Sequence, residues 1–234
     1  MTSRIAVLAS GGGSNLQAIL DHLDTLGDAR SGRVVVVASS RPQAGALGRA
    51  TARDIPTAVL RSTNHAEGPT LATVVDDHNV DLIVLAGYLK LLPSDVVKRF
   101  EGRIINVHPA LLPSFGGRGM YGNHVHRAVL ESGVKITGVT AHFVNDVYDD
   151  GRIIAQWPVP VFASDDVASL AARVLRVEHL VYPRVVDAVA GGRTTLASCA
   201  TQSGVGAIDT GPSFTLLSHE DSRLAENIEL ALGC

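Results

Sequence analysis

The sequence contains few of the residues that mark disulfide-stapled or base-stacking proteins. It has two cysteines in 234 residues, Cys199 and Cys234, and aromatic residues make up only 4%. A chain with a large aliphatic core and two cysteines has no disulfide framework, so a reducing, cytoplasmic location is expected and a Cys199–Cys234 disulfide is not favoured. With so few aromatic side chains, a surface on which nucleic-acid bases stack is not expected.

Long runs of one charge or of apolar residues are also absent. The chain has 20 Lys and Arg against 23 Asp and Glu, a net charge of −3, and no long basic run, which argues against nucleic-acid binding through bulk positive charge. No apolar run approaches the roughly 20 residues that cross a bilayer, and Ile5–Ala9 is too short for the apolar region of a signal peptide. We therefore expect neither a nucleic-acid nor a membrane partner.

The residues that are abundant are aliphatic, and hydrophobic residues make up 46% of the chain. Short Val-, Ile- and Leu-rich segments, typical of strands buried on both faces, alternate with helical patterns. This repetition predicts a doubly wound α/β domain with a mostly parallel sheet, a Rossmann-like fold. The predicted strands are Ile5–Ala9, Val34–Ala38, Thr57–Leu60, Leu82–Ala86 and Ile104–His108, and the predicted helices are Asn15–Leu26, Gly45–Asp54, Pro69–His78 and Pro93–Phe100.

The pattern changes after His108. A Gly- and Pro-rich loop, a helix near Val125–Ser132 and two longer strands, Lys135–Val144 and Ile153–Val161, predict a C-terminal hairpin-plus-helix part. The last helix is expected to begin after Ser164 or Asp165 as the capping residue and to end near Ala190.

The residues after that helix differ in composition. Ser, Thr and Gly dominate from Thr194 to Ser213, and a further helix is predicted near Ser222–Leu232. We therefore divide the chain into one domain, residues 1–193, and an appendage of unknown role, residues 194–234.

A glycine-rich turn, Ser10–Asn15, joins the first strand to the first helix. Successive backbone N–H groups in such a turn form a concave anion site, and the helix N-terminus adds partial positive charge. Glycines also let the backbone approach a ligand without Cβ clashes. Phosphate binding is therefore favoured over a turn that needs only glycine flexibility.

The better-known phosphate motifs do not fit this turn. A Walker A motif needs a lysine that is absent here. The dinucleotide pattern G-x-G-x-x-G fits Gly11 and Gly13 but then meets Leu16, and the acidic ribose partner about 20 residues on is missing. NAD is disfavoured, and Arg41 gives only a weak case for NADP.

A second polar motif, Asn106-Val107-His108, ends the fifth predicted strand. Alternate strand residues point to the same side, and the carboxyl ends of parallel strands border the ligand crevice of open α/β sheets. A carboxamide can stabilise an oxyanion and an imidazole can move a proton near neutral pH, so the pair suits acyl transfer. The alternative is a buried, hydrogen-bonded polar pair. The following prolines indicate an unusual backbone, and one of their peptide bonds is a candidate for the cis form.

A catalytic imidazole often needs a carboxylate that orients it, and spacing alone does not choose between Asp146, Asp149 and Asp150. At most one of the adjacent residues Glu178 and His179 is expected to face a given site. His142 is more typical of a satisfied core histidine, and His124 and His126 flank a helix start. No spacing matches a zinc site, so we predict no metal.

Five segments together resemble the folate-dependent phosphoribosylglycinamide formyltransferase family, also called glycinamide ribonucleotide transformylase. The similarity runs in order from Arg4 to about Arg193. The segments are Ser10–Ile19, Leu85–Leu92, Asn106–Phe115, His142–Gly151 and Arg173–Pro183.

The resemblance implies an enzyme that transfers a formyl group from 10-formyltetrahydrofolate to the amine of phosphoribosylglycinamide in purine biosynthesis. It implies direct attack by the amine, with an oxyanion stabilised by Asn106 and protonated His108, and with Asp149 keeping the imidazole charged. The implied partners are small molecules, and a monomer or a homodimer is expected. By the same resemblance, Asn106, His108 and Asp149 are catalytic; Gly13, Ser14 and Asn15 hold the phosphate; Glu178 meets the amine; and Leu89, Lys90, Leu91, Leu92, Asn106 and Asp149 contact the folate.

The sequence departs from the family pattern in two places. The loop Phe115–His124 is longer than the common form, and its Arg118 is either a ligand contact or an inert surface residue. The folate-contacting arginine expected in the segment Ser62–Thr70 has no clear match, with Arg61 and His65 as nearby substitutes.

Two other kinds of function remain as alternatives. Formyltetrahydrofolate hydrolase, methionyl-tRNA formyltransferase and sugar-amine formyltransferases use a similar constellation, but the first usually carries an N-terminal regulatory domain and the second a larger basic C-terminal one. A non-catalytic sensor of phosphate ligands would not need Asn106, His108 and Asp149 together.

Overall fold

A seven-stranded sheet runs through the computed structural model, which describes residues 2–61 and 67–201. The strand order is β3-β2-β1-β4-β5-β6-β7, and all neighbours are parallel as far as β5. β6 pairs antiparallel with β5 and β7 antiparallel with β6, so the predicted doubly wound, mostly parallel fold is confirmed. The strands are β1 Ser3–Leu8, β2 Gly32–Ser39, β3 Thr57–Val59, β4 Leu82–Leu85, β5 Ile104–His108, β6 Ile136–Phe143 and β7 Ile153–Pro160.

Helices cover both faces of the sheet because its inner strands are apolar on both sides. In β1, Ile5 and Val7 pack on one face, and Ala6 and Leu8 pack on the other. Within the part of the chain that the structure describes, no helix is both long and apolar enough to cross a membrane. The α-helices are α1 Ser14–Leu26, α2 Gly45–Thr51, α3 Leu71–Asp77, α4 Ser94–Arg99, α5 Asn123–Ser132, α6 Val167–Ala190 and α7 Leu196–Thr201.

The start of α6 differs from the expectation. Asp166, not Ser164 or Asp165, is the N-cap, and it forms a capping box with Ser169. Asp165 does not cap the helix because its carboxylate accepts two hydrogen bonds from Arg173, both at 2.7 Å. The helix ends at Ala190 as predicted.

Part of the predicted appendage packs on the domain. Leu196 and Cys199 of α7 pack against the core, and Arg152 donates to the Cys199 carbonyl at 2.9 Å. Cys234, the helix predicted near 222–232 and His65 lie outside the described residues, so the expectations about them stay predictions.

Outer strand β7 carries two prolines, Pro158 and Pro160. They lie opposite Gly138 and Ile136 of β6. Proline has no backbone N–H to donate, which is why it is confined to edges and bulges of sheets.

Candidate active site

A cavity of about 530 Å³ lies at the carboxyl ends of the central strands. Here the chain leaves β1 for β2 on one side and returns to β4 on the other, the arrangement that opens a crevice in doubly wound sheets. The loops after β4 and β5, the β6–β7 loop, the start of α5 and one side of α6 form its walls. Predicted site residues that line it are Leu89, Lys90, Leu91, Leu92, Asn106, His108, Asp149, Glu178 and Asn15.

Asn106 and His108 point into this cavity from β5, while Val107 packs in the core. The His108 Nε2 atom lies 2.8 Å from the Phe115 carbonyl oxygen. Because a carbonyl only accepts, Nε2 carries a proton. Nδ1 is then the titrating nitrogen of His108.

Asp149 is the loop carboxylate that faces this nitrogen. Its Oδ2 atom lies 3.5 Å from His108 Nδ1 and accepts the Gly117 N–H at 3.0 Å. Asp146 and Asp150 are exposed, and Asp150 accepts from Asn145 instead. The structure thus selects among the three aspartates that spacing left open.

The tight course of the loop explains how Asp149 reaches that position. Asp149 has a φ of 52°, in the left-handed region that aspartate tolerates better than most residues. A Cβ on Gly151 would lie 1.7 Å from the Phe143 carbonyl oxygen. The sequence Asp149-Asp150-Gly151 therefore combines a residue that accepts a positive φ with a glycine that the packing requires.

Burial and charge act in opposite directions on the two catalytic candidates. Burial lowers the pKa of His108, and Asp149 and the Phe115 carbonyl offset this only in part. Burial alone would raise the pKa of Asp149, but His142, His108 and the Gly117 N–H together hold it below its usual value. Before substrate binds, burial favours a neutral His108 ring. The charged His108 that the resemblance implies at the oxyanion stays a prediction.

Glu178 lies in the cavity on α6, and its neighbour His179 does not line it. Asn15 donates from Nδ2 to Glu178 Oε2 at 2.6 Å. Burial raises the pKa of Glu178 to about 7, despite this hydrogen bond, which lowers it. The carboxyl group can thus exchange a proton near neutral pH.

The glycine-rich turn presents backbone N–H groups to a ligand. Gly13 is the N-cap of α1 with a φ of 77°, and the first helical bond runs from Gln17 N–H to the Gly13 carbonyl. Within residues 2–61 and 67–201, the N–H groups of Ser14, Asn15 and Leu16 have no acceptor. These three N–H groups are the donors that the predicted anion site would use, and the site itself stays a prediction.

Packing against α2 fixes the shape of this turn. A Cβ on Gly13 would lie 2.7 Å from the Ala46 Cα atom, and Arg49 donates from Nε to the Gly12 carbonyl at 2.8 Å. The turn therefore needs a glycine at position 13 for its backbone angle and for its close contact with α2.

Sequence reasoning missed two histidines at the cavity. His142 lies opposite Asn106 in the β5–β6 pairing, and its Nε2 atom is 3.2 Å from Asn106 Nδ2. His126 also lines the cavity, and burial lowers its pKa, with His108 lowering it further. The signal for His142 was its alternating position on a predicted strand, but neither the partner strand nor the register can be read from spacing.

The long loop Phe115–His124 contributes to the cavity through Arg118, Met120 and Tyr121. Leu112–Pro113 before it is a cis peptide bond, as the paired prolines predicted.

Arg61 is exposed and donates its backbone N–H to the Pro69 carbonyl. The structure does not bring Arg61 to the cavity wall, so the folate contact considered for it is not supported.

The family model "Formyl transferase" matches residues 3–186. The chain is 44% identical over 191 residues to the chloroplastic phosphoribosylglycinamide formyltransferase of Arabidopsis thaliana, covering 80% of this chain and 65% of that protein. It is 38% identical over 197 residues to phosphoribosylglycinamide formyltransferase of Haemophilus influenzae, covering 82% and 90%. The chain thus spans less than two thirds of the plant relatives, at 65% and 60%, and most of the bacterial one.

Solved structures show the same similarity. Glycinamide ribonucleotide transformylase 1 from Symbiobacterium toebii matches with a TM-score of 0.72 and 40% identity, over 82% of this chain and 89% of that chain. A formyltetrahydrofolate deformylase from Pseudomonas syringae also matches, with a TM-score of 0.72 and 26% identity, over 82% and 63%. The scaffold is therefore shared by proteins named for transfer and for deformylation.

Proposed function

The chain belongs to the phosphoribosylglycinamide formyltransferase family, and from this premise we propose that it transfers the formyl group of 10-formyltetrahydrofolate to the amine of phosphoribosylglycinamide in de novo purine biosynthesis. One observation carries the proposal. Asn106, His108 and Asp149 meet at one side of a cavity whose wall also contains Glu178, and Asn15 joins Glu178 to the anion-binding turn.

The two substrates would enter from different directions. Gly13, Ser14 and Asn15 hold the phosphate, and Glu178 meets the amine. The folate lies along Leu89–Leu92 and the loop before Asp149, where Leu91 and Val147 are 51% and 58% exposed. Apolar side chains so exposed at a cavity gain stability when a ring system covers them.

The reaction balances without a covalent enzyme intermediate. The amine nitrogen forms a bond to the formyl carbon, and the carbonyl electron pair moves onto oxygen, where Asn106 donates to the oxyanion. The proton that the amine loses passes, directly or through water, to Nδ1 of neutral His108. Asp149 stabilises the imidazolium that forms. The positive charge of this imidazolium then helps to stabilise the oxyanion. The oxyanion then collapses, the bond from carbon to the folate nitrogen breaks, and that nitrogen receives the proton.

The wider expectations are proposed in the same way. We propose small-molecule substrates, no resident metal, no nucleic-acid or membrane partner, a cytoplasmic location, and a monomer or homodimer. Two relatives are named as chloroplastic, so the location follows from the cysteine content rather than from the family. Residues 1–193 would form the catalytic domain.

A three-way assay tests the proposal and its rivals. The protein is mixed with 10-formyltetrahydrofolate, with and without phosphoribosylglycinamide, and loss of the formyl group from folate is followed. Consumption only with the amine supports transfer. Consumption without it indicates a hydrolase, as the similarity to the deformylase allows, and no consumption in either mixture contradicts both and favours a sensor.

A further inference from the structure

The ring of His142 is held on both sides in a way that the proposed reaction does not yet use. His142 lies in β6 and is 2% exposed. Its Nδ1 atom is 2.8 Å from the Phe143 carbonyl oxygen. A carbonyl has no proton to give, so Nδ1 carries a proton.

When the ring is neutral, the other ring nitrogen is then an acceptor. Nε2 of His142 lies 3.2 Å from Asn106 Nδ2, a hydrogen-bond distance, and farther, 3.7 Å, from Asp149 Oδ1. A lone pair at Nε2 attracts the amide N–H of Asn106 and repels the amide oxygen. The tautomer of one residue therefore decides which end of the neighbouring amide faces the ring.

On the basis of the proposed function, we propose that neutral His142 is a positioning residue that fixes the orientation of the Asn106 amide. The two ends of an amide have nearly the same shape, so packing alone distinguishes them poorly. With Nδ2 held by His142, one of its two N–H bonds is used and the other remains for the formyl oxygen. A reversed amide would present its own oxygen instead.

The charged groups around the ring show what protonation would do. Among the residues that the structure describes, Asp149 and His108 are titratable side chains that interact with His142. A proton on Nε2 would make that atom a donor, directed to Asp149 Oδ1 or to the Asn106 amide oxygen. Either contact removes the acceptor that holds Asn106, so the positioning depends on the neutral ring.

A pair of substitutions separates positioning from simple packing. His142→Leu fills the space but removes the acceptor, whereas His142→Gln keeps an oxygen near the position of Nε2. We expect His142→Leu to lower kcat by about 10- to 100-fold, as small misplacements of catalytic groups do, with little change in either KM. His142→Gln should recover most of the loss, and thermal unfolding of both variants shows whether they fold.

A double-mutant cycle with Asn106→Ala tests whether His142 acts through Asn106. If it does, His142→Leu lowers kcat further by less than about twofold when Asn106 is already alanine. An equal loss in both backgrounds, or a Leu variant with the parent's kcat, would overturn the proposal.

A spectroscopic test does not depend on activity. The ¹⁵N shifts of the His142 ring in the unmodified protein report which nitrogen carries the proton, and we expect Nδ1. A proton on Nε2 contradicts the positioning proposal even in an active enzyme. A protein with the Nδ1 tautomer but no formyl transfer would instead contradict the proposed function.

Discussion

The two ends of the sheet use polar side chains in opposite ways. At the amino end, charges are paired on the surface: Arg53 contacts Asp21 and Asp24. Such exposed pairs add little stability because water screens them. At this end, the charged side chains lie on the surface and contribute little to the stability of the core.

The carboxyl end instead contains polar groups that are buried and only partly satisfied. His108 is 3% exposed and Glu178 is 7% exposed. Asn15 Oδ1 and His126 Nδ1 are buried and have no partner within the described part of the chain. Leaving such atoms unpaired costs stability, so the polar groups at this end carry a cost that the exposed pairs at the amino end do not.

The largest expected effect tests whether the carboxyl end is catalytic. His108→Ala and Asp149→Asn should each lower kcat by about 10²- to 10⁴-fold, the contribution of positioned acid–base groups, and change KM much less. Steady-state kinetics with both substrates measures this. His78→Ala, at the amino end of the sheet beside Arg4, is the matched control. Near-full turnover in either active-site variant would contradict the assignment.

The second prediction concerns the stability cost of Glu178. Its pKa is raised from 4.5 to about 7 in the folded chain, so the folded state holds a proton that the unfolded state loses between those values. The free energy of unfolding should therefore fall by about 3 kcal/mol as pH rises from 4.5 to 7 and then stay level, at about 1.4 kcal/mol per pKa unit.

Glu178→Gln isolates this contribution, because glutamine keeps the acceptor for Asn15 but does not titrate. Denaturant unfolding at several pH values should show a flatter profile for the variant between pH 4.5 and 7. Parallel profiles for the two proteins would mean that Glu178 has an ordinary pKa.

A third, intermediate effect tests the glycine turn. Gly13→Ala places a Cβ 2.7 Å from Ala46 Cα at a φ of 77°, so we expect a loss of about 1–3 kcal/mol in unfolding free energy. We also expect a raised KM for phosphoribosylglycinamide and an unchanged KM for the folate. Gly48→Ala in the adjacent α2, where a Cβ meets nothing within 4 Å, is the matched control and should not destabilise. Equal changes in both KM values would argue against phosphate binding at this turn.

The smallest effect is expected at the amino end. Arg53→Ala removes the contacts to Asp21 and Asp24, and it should change the free energy of unfolding by less than about 1 kcal/mol and leave kcat and both KM values unchanged. A large loss of activity would show that the two ends are coupled.

The sequence predicted most of the sheet because its inner strands are continuous aliphatic runs. Ile104–His108 has the predicted bounds, and the ends of the other strands differ from prediction by at most two residues. The shared direction of Asn106 and His108 was also predictable, since alternate residues of a strand point to the same side. The strand positions and the directions of these side chains depend on neighbouring residues in the sequence, so sequence patterns predict them.

Features that depend on distant contacts were not predictable in this way. The choice of Asp149 over Asp146 and Asp150 depends on a loop with a positive φ, and the contact of His142 with Asn106 depends on strand register. Burial determines the low pKa of His108 and the high pKa of Glu178. Residue types show which chemistry is available, while charge state follows from the surroundings.

The prolines of β7 have a consequence for assembly. Side-by-side joining of two sheets needs a row of backbone donors along the open edge. Pro158 and Pro160 remove two such donors from the outer strand. A homodimer built as one continuous sheet through β7 is therefore disfavoured, and the same two residues protect the chain against fibre-like stacking at that edge.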